Sequence, residues 1–427
     1  MTEFQSQFVA PRGLRPQKHA QVVALDPEAC KGRVFLMLQG HPSGFWRDLA
    51  AGLEADGHRV VKVNFCLADR IFWGRRPAIE FQGGLNRWRR FVFRLIEREG
   101  VTDILYYADR LPYHAIALEE GRRLRRRCWA IEFGYLRPDW LTLEPEGMGA
   151  LSTFPKTRSE IEALAEGVEA PDMRNLYPFG FGVEAFNEVS FALLQSFGRP
   201  FYPLHVSDRP HWPVIEYLSW LPGLVRGRHR ERAAVALTER LVAEGTPFNL
   251  VAMQLEVDYQ IRASSDYPDL ISFLDETLQS FAATAPADRH LVVKLHPLDS
   301  ELGRWFSRIP RLARRHGIAE RVHVIRGGDL GALIGGSRGV VLVNSTVGIH
   351  ALRMGVPVCA MGRAVYDLPG LTHRRGLDRF WTAPDPVDTD YFRSFQRALS
   401  TIQVKGSFYN LEGRAAAIAE MRRRLAV

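Results

Sequence analysis

Residues 33–65 read RVFLMLQGHPSGFWRDLAAGLEADGHRVVKVNF, and this stretch decides the fold class. Arg33 to Gly40 is a short apolar run that stops at a glycine, as a strand buried on both faces does. Phe45, Trp46, Leu49, Ala50 and Leu53 then recur at helical spacing, and Asp56-Gly57 supplies the stop. Arg59 to Phe65 is a second apolar strand. The three together predict a β-α-β unit, the building block of a doubly wound parallel sheet.

Downstream the pattern repeats. A helix is predicted over Leu85–Glu99, a strand over Thr102–Tyr107 running to Asp109, a helix over His114–Arg127 and a strand over Cys128–Ile131 ending at Glu132. Asp109 and Glu132 thus fall at strand C-termini, where open α/β sheets place their ligands. Between about 155 and 245 the sequence changes to helices and Pro/aromatic loops such as NLYPFGFG and GRPFYPLHVSDRPHWP. Alternation then resumes, with strands at Asn249–Met253, His290–Lys294, Arg321–Ile325, Gly339–Val343 and Val356–Ala360, and a helix at Leu270–Ala283. The expected architecture is α/β: two Rossmann-like domains facing a cleft, an arrangement shared by many sugar transferases. Residues 1–245 form the first domain, including the helical and loop insertion at about 155–245, and residues 246–427 the second.

Composition agrees with two such cores. Of 427 residues, 46% are hydrophobic and 24% charged, which excludes a disordered chain and needs no disulfide or structural metal. Lys and Arg number 56 against 48 Asp and Glu, a net charge of +8 that suits nucleic acid, an anionic membrane surface or an anionic small substrate. No nucleic-acid-binding module is visible, so nucleic acid is not expected. Cys30, Cys66, Cys128 and Cys359 are far apart with no metal-ligand spacing, which points to a reducing cytoplasm and no metal. No run of about 18 apolar residues occurs, so any membrane association is expected to be peripheral. The run Arg122–Arg127 reads either as the solvated last turn of a helix or as a contact for an anionic lipid. Asn175–Arg230 mixes aromatics, including Trp212 and Trp220, with arginine, which suits a membrane interface or ordinary packing beside a basic linker.

Three clusters could carry chemistry. Lys294-Leu295-His296-Pro297 closes a strand, putting an ammonium and an imidazole at a sheet rim, where they can bind a phosphate. Asn344-Ser345-Thr346 follows a strand and opens a helix, and reads as an anion site or simply as an N-cap. Gln254 to Gln260 (QLEVDYQ) follows the first strand of the second half; Asp258 reads there as a cleft carboxylate opposite Glu132 or as an ion-paired one, and Glu256 as a surface residue. Glycosyl transfer commonly needs two carboxylates, one to attack or stabilise the sugar centre and one to move a proton.

The stretches EFGYLRPDWLTLE (132–144), KLHPLD (294–299), VNSTVG (343–348), Gly362-Arg363-Ala364-Val365-Tyr366-Asp367-Leu368-Pro369-Gly370-Leu371 and Phe380-Trp381, with Gln39-Gly40, Phe45-Trp46 and Lys62–Phe65, resemble the bacterial capsule polysaccharide biosynthesis family that includes the KpsS and LipB types. The resemblance implies a GT-B-like fold and a retaining glycosyltransferase moving β-Kdo from CMP-Kdo to a phosphatidylglycerol-type lipid, starting the poly-Kdo linker of a capsular polysaccharide. It implies a peripheral place on the cytoplasmic face of the inner membrane, other capsule biosynthesis or export proteins as partners, CMP-sugar as donor substrate, and no cofactor. Carried over by motif, Asp258 is the nucleophile or the stabiliser of an oxocarbenium-like centre, and Glu132 the acid/base. Lys294, His296, Pro297, Asn344, Ser345 and Thr346 bind the donor, and Gln39, Asp109, His114, Arg137 and Gln254 are further cleft candidates. Three positions depart from the family pattern: Ala108 stands where a Gly precedes Asp109, the Arg that should precede Pro112 is displaced to Arg110, and Tyr259 stands where a Ser follows Asp258. The alternatives are transfer of another CMP-linked acidic sugar of the sialic-acid kind, and a non-catalytic accessory role in capsule assembly or export.

Overall fold

The first sheet is built around the unit quoted above. In the computed structural model, which describes residues 32–207, 213–255, 261, 264–299 and 301–426, β1 (Val34–Met37), α1 (Phe45–Ala55) and β2 (Arg59–Asn64) follow one another as expected. Phe45, Trp46, Leu49, Ala50 and Leu53, the residues at helical spacing, are the buried face of α1. Next come α2 (Leu67–Trp73), β3 (Ile79–Glu80), α3 (Leu85–Glu99), β4 (Asp103–Tyr107), α4 (Pro112–Arg123), β5 (Arg127–Phe133) and β6 (Trp140–Pro145). The sheet order is β12-β6-β5-β4-β1-β2-β3, with β3-β2-β1-β4-β5 parallel and the far edge antiparallel.

The helical segment that follows contains α5 (Arg158–Ala165), α6 (Phe181–Phe197) and α7 (Pro213–Ala243). The second sheet contains β7 (Phe248–Ala252), β8 (His290–Lys294), β9 (Val322–Ile325), β10 (Val340–Leu342) and β11 (Val358–Ala360), all parallel, in the order β11-β10-β7-β8-β9. Its helices are α8 (Leu270–Thr284), α9 (Trp305–Arg315), α10 (Leu330–Gly336) and α11 (Val347–Arg353). Each sheet therefore has the Rossmann order, its first strand flanked by the second and the fourth, and a switch point at its centre. The fold is α/β and GT-B-like.

After α12 (Leu377–Phe380), α13 (Thr389–Ser400) packs on α5, with Phe154 edge-on to Phe395 at 5.7 Å and Arg158 paired with Asp388 at 2.7 Å. The chain then returns to the first sheet. Its strand β12 (Gln403–Lys405) pairs antiparallel with β6, and α14 (Leu411–Leu425) packs on α1. The expected assignment of all of residues 246–427 to the second domain is thus corrected from Gln403 onward. The physical reason is burial: Val404, Phe408, Met421 and Leu425 complete one apolar cluster with Phe35, Leu49, Leu53 and Leu141.

A second correction concerns Arg122–Arg127. The helix stops at Arg123, Arg125 adopts a left-handed φ of 55°, and Arg127 opens β5. The cause is Asp103, fully buried at the start of β4, which takes ion pairs from Arg33 and Arg127 and a hydrogen bond from Trp129 Nε1 at 3.0 Å. Arg122 and Arg123 pair with Glu146 and Glu120. Among the described residues no helix is long and apolar enough to cross a membrane.

Candidate active site

On the first sheet, Glu132 sits near the C-terminal end of β5, locked by Thr142 on the neighbouring antiparallel strand. The Glu132 N–H donates to Thr142 Oγ1 at 3.1 Å, and that hydroxyl donates back to the Glu132 carbonyl at 3.2 Å. The Glu132 carboxyl accepts from the Phe133 N–H at 3.3 Å and is hydrogen-bonded by Tyr107. Burial pushes its pKa up to about 7; Asp109 adds to the rise, while Tyr107, the Phe133 amide and Arg137 oppose it. Arg137, whose guanidinium lies 5.0 Å over the Phe133 ring, is the cation of this cluster. A carboxyl tuned to neutrality beside a cation at a strand end can give or take a proton near pH 7.

Several neighbours escaped the sequence reading. His41 lies at the β1 end, stacked on Phe408 at 4.0 Å and edge-on to Tyr107, Phe133 and Tyr409, with Nδ1 3.2 Å from Ser43 Oγ. Burial holds it well below the usual histidine range, hence neutral. Glu144 on β6 is fully buried; it accepts from Tyr135 Oη at 3.2 Å and from Ser152 Oγ, and burial pushes its pKa up to about 8. From α6, Glu188 hydrogen-bonds Tyr409, and Glu184 feels the Arg137 charge. Between α1, α2 and α6 a small pocket is lined by His41, Trp46, Phe72 and Phe191 and by the buried Lys62–Asp69 ion pair at 2.9 Å.

The remaining first-sheet candidates have structural partners. The Asp109 carboxylate accepts the Met148 N–H at 2.8 Å, and a Cβ at Gly147 would come within 2.4 Å of it, so Gly147 is required for the approach. His114 Nδ1 bonds the Ala108 carbonyl at 3.0 Å, and burial pulls its pKa down to about 4, which makes it a clasp on the β4–α4 turn. The Gln39 carbonyl accepts the Tyr107 N–H at 3.2 Å, tying β1 to β4 at the switch point. Ala108 has φ 53°, which explains the glycine of the family pattern. Ala108→Gly is therefore expected to raise stability by about 1 kcal/mol in chemical denaturation, since an L-residue there costs roughly that much; a destabilised variant would contradict the turn.

On the second sheet, Gln254 follows β7 and Asn344 follows β10, the two strands flanking the switch point. They bond reciprocally: Gln254 Nε2 donates to Asn344 Oδ1 at 2.8 Å, and the Asn344 N–H donates to Gln254 Oε1 at 3.1 Å. Ser345 Oγ accepts the Val347 N–H at 3.3 Å, and Thr346 precedes the seven-residue α11 without capping it through its side chain. His296 Nδ1 accepts the Leu298 N–H at 3.1 Å, and burial, Lys294 and Arg137 lower its pKa to about 4. The neutral ring then carries its proton on Nε2, as a donor. Lys294 is nine-tenths buried and donates to the Gly327 carbonyl and, at 3.4 Å, to Gly328, so it anchors the β9–α10 turn. Pro297 is exposed. Asp258 and Glu256 lie outside the described residues, as do Tyr259 and Trp212.

The two halves meet. Arg137 of the first acts electrostatically on both Glu132 and His296, and the Ala150 N–H of the first donates to Ser264 Oγ of the second at 3.4 Å. Arg137 thus lies within electrostatic reach of both Glu132 and His296.

A family model described as capsule polysaccharide biosynthesis protein matches residues 102–409, well over half of the chain. This chain belongs to the capsule polysaccharide biosynthesis family. Within that family it is 29% identical over 383 residues to capsule polysaccharide modification protein LipB of Neisseria meningitidis serogroup B, covering 88% of this chain and 91% of that one. It is also 29% identical over 380 residues to capsule polysaccharide export protein KpsS of Escherichia coli, covering 88% and 97%. Among solved structures, Thermosulfurimonas dismutans KpsC, a beta Kdo 2,7 transferase, aligns over 92% of this chain and 99% of that one at 13% identity, with a TM-score of 0.45. The family match runs from just before β4 to Tyr409, so it includes Glu132, Arg137, His296, Asn344 and the returning β12.

Proposed function

We propose that this member of the capsule polysaccharide biosynthesis family is a retaining glycosyltransferase. In this reading it moves β-Kdo from CMP-Kdo to a phosphatidylglycerol-type lipid at a membrane face and so starts the poly-Kdo linker of a capsular polysaccharide. One observation carries it: Arg137 acts electrostatically both on Glu132, whose pKa burial pushes up to about 7, and on His296 across the domain boundary, whose Nε2–H is a donor. The choice of Kdo rests on the motif resemblance, and the names of the relatives support a capsule role.

The steps follow from the groups. His296 Nε2–H and the hydroxyls of Ser345 and Thr346 hold the CMP phosphate, whose charge the Lys294 ammonium offsets without a metal or cofactor. Arg137 attracts the sugar carboxylate. The Asp258 carboxylate attacks the anomeric carbon as the bond to CMP breaks and CMP leaves as the anion. Glu132 then takes the proton of the acceptor hydroxyl as its oxygen displaces Asp258, so two inversions give retention.

Titration calorimetry with CMP tests the donor class. Wild-type protein is expected to bind, and His296→Ala to weaken binding about tenfold, the worth of one hydrogen bond to a charged group. Absence of CMP binding by the wild type would overturn the donor class, and an unchanged variant would remove His296 from it.

A further inference from the structure

Helix α6 is amphipathic in the wrong sense for a surface in water. At 3.6 residues per turn, Val183, Phe186 and Phe197 fall within about 60° of one another, and Glu184, Glu188, Phe191 and Gln195 occupy an opposing sector of similar width. The carboxylates face inward, to Arg137 and Tyr409, and Gln195 is buried beside His205 at 3.0 Å. The aromatics face out: Phe186 is 72% exposed, Phe197 69%, and Phe201 in the following loop 62%. Phe181, Val183, Leu204 and Val206 are exposed as well. On this face the exposed apolar side chains gather at its two ends, Val183 and Phe186 at the start and Phe197 about 16 Å further along, with Phe201 just beyond. Large exposed apolar side chains grouped on one element mark an interaction surface.

Exposed arginines stand in the loop after α6 and on both helices packed against it. Arg70 and Ile71 are exposed on α2, which packs along α6, and a Cβ at Gly198 would meet Leu67 at 2.4 Å, so this flank is close. Arg199 is exposed between Phe197 and Phe201, and α7, which also packs on α6, carries exposed Arg226 and Arg228. Rings flanked by guanidinium groups match an anionic bilayer, where the rings enter the boundary between headgroup and acyl chain and the cations meet phosphates.

We propose that the outer face of α6 and residues 198–207 after it form a membrane-docking surface, with α6 lying in the headgroup plane of an anionic bilayer. The opposite face of the same helix carries Glu184 and Glu188 to the Glu132 cleft, so docking brings that cleft to the lipid surface. The proposal rests on the transferase reading only for the use of this proximity; the docking does not depend on it.

Co-sedimentation with vesicles of equal parts phosphatidylglycerol and phosphatidylcholine tests it, alongside CMP titration of the same proteins. Wild type is expected to sediment with these vesicles, and less with phosphatidylcholine alone or in high salt. The triple variant Phe186→Ser, Phe197→Ser, Phe201→Ser is expected to lose about tenfold or more in partitioning with CMP affinity unchanged, while the corresponding triple change to Leu keeps most of it. Equal sedimentation of wild type and the Ser variant, or none by wild type, would overturn the docking surface. So would light scattering showing a wild-type dimer that the Ser variant dissolves, because a second copy would then cover the face. Vesicle binding without sugar transfer would sink the transferase reading and leave the docking surface standing.

Discussion

Glu132→Gln lowers the rate of sugar transfer by about 10²–10⁴-fold and leaves CMP affinity and the melting temperature near pH 6 close to wild type. The magnitude is that of losing one positioned proton acceptor. The selectivity follows from the location: Glu132 is bonded to Thr142 through its backbone, which Gln keeps, and its carboxyl faces Tyr107, with which an amide can still bond. Its raised pKa also sets the pH profile. As the base toward the acceptor hydroxyl, Glu132 must be ionised, so the wild-type rate is expected to rise with pH through about 7 and the residual rate of the variant to lack that limb. Near-normal turnover by Glu132→Gln, or an unchanged profile, would remove it from the reaction.

Stability is expected to fall as pH rises, and Glu144→Gln to remove much of that fall. Burial lifts the Glu144 pKa from its ordinary value near 4.5 to about 8. A carboxyl with a raised folded-state pKa contributes stability that is complete below the unfolded value and is lost as pH rises through the folded one. The contribution is on the order of 3–5 kcal/mol between the two limits. Glutamine is isosteric with the protonated acid and can serve both Tyr135 and Ser152, so the variant keeps the contacts without the ionisation. Thermal unfolding from pH 5 to pH 9 reads this directly. Wild type is expected to lose melting temperature progressively from about pH 5 to about pH 8 and to level off above it, and the variant to follow a flatter course, with part of the remaining slope owed to Glu132. Parallel curves would mean that Glu144 is already ionised in the folded protein.

The parts legible in the sequence were those whose patterns are local. Leu85–Glu99 alternates at helical period between a glycine start and a glycine stop, and the helix has those ends. His290–Lys294 is a bare apolar strand between turns, and the strand has those ends too. What escaped depends on partners distant in sequence. The three-residue β12 has no period of its own and is a strand only because β6 offers a free edge. His41 becomes a cleft residue through Phe408 and Tyr409, which arrive on the returning chain. Glu144 stood inside the very motif that suggested the family, yet its fully buried position on an antiparallel edge strand could not be told from the alternation alone. Lys294 reads as a phosphate ligand because it ends a strand, and the two carbonyls of the β9–α10 turn to which it also donates are contacts that no local pattern shows. The aromatics of α6 were conspicuous as composition, but their outward direction required the inward pull of Glu184 and Glu188.

The central claim is transfer of Kdo to lipid, and mass spectrometry of the acceptor tests it most directly. The protein is incubated with CMP-Kdo and a fluorescent phosphatidylglycerol-type acceptor, and the lipid is weighed before and after. The account predicts a product heavier by a single Kdo residue, absent with Glu132→Gln over the same time. An acceptor of unchanged mass while CMP-Kdo stays intact in the mixture would contradict it.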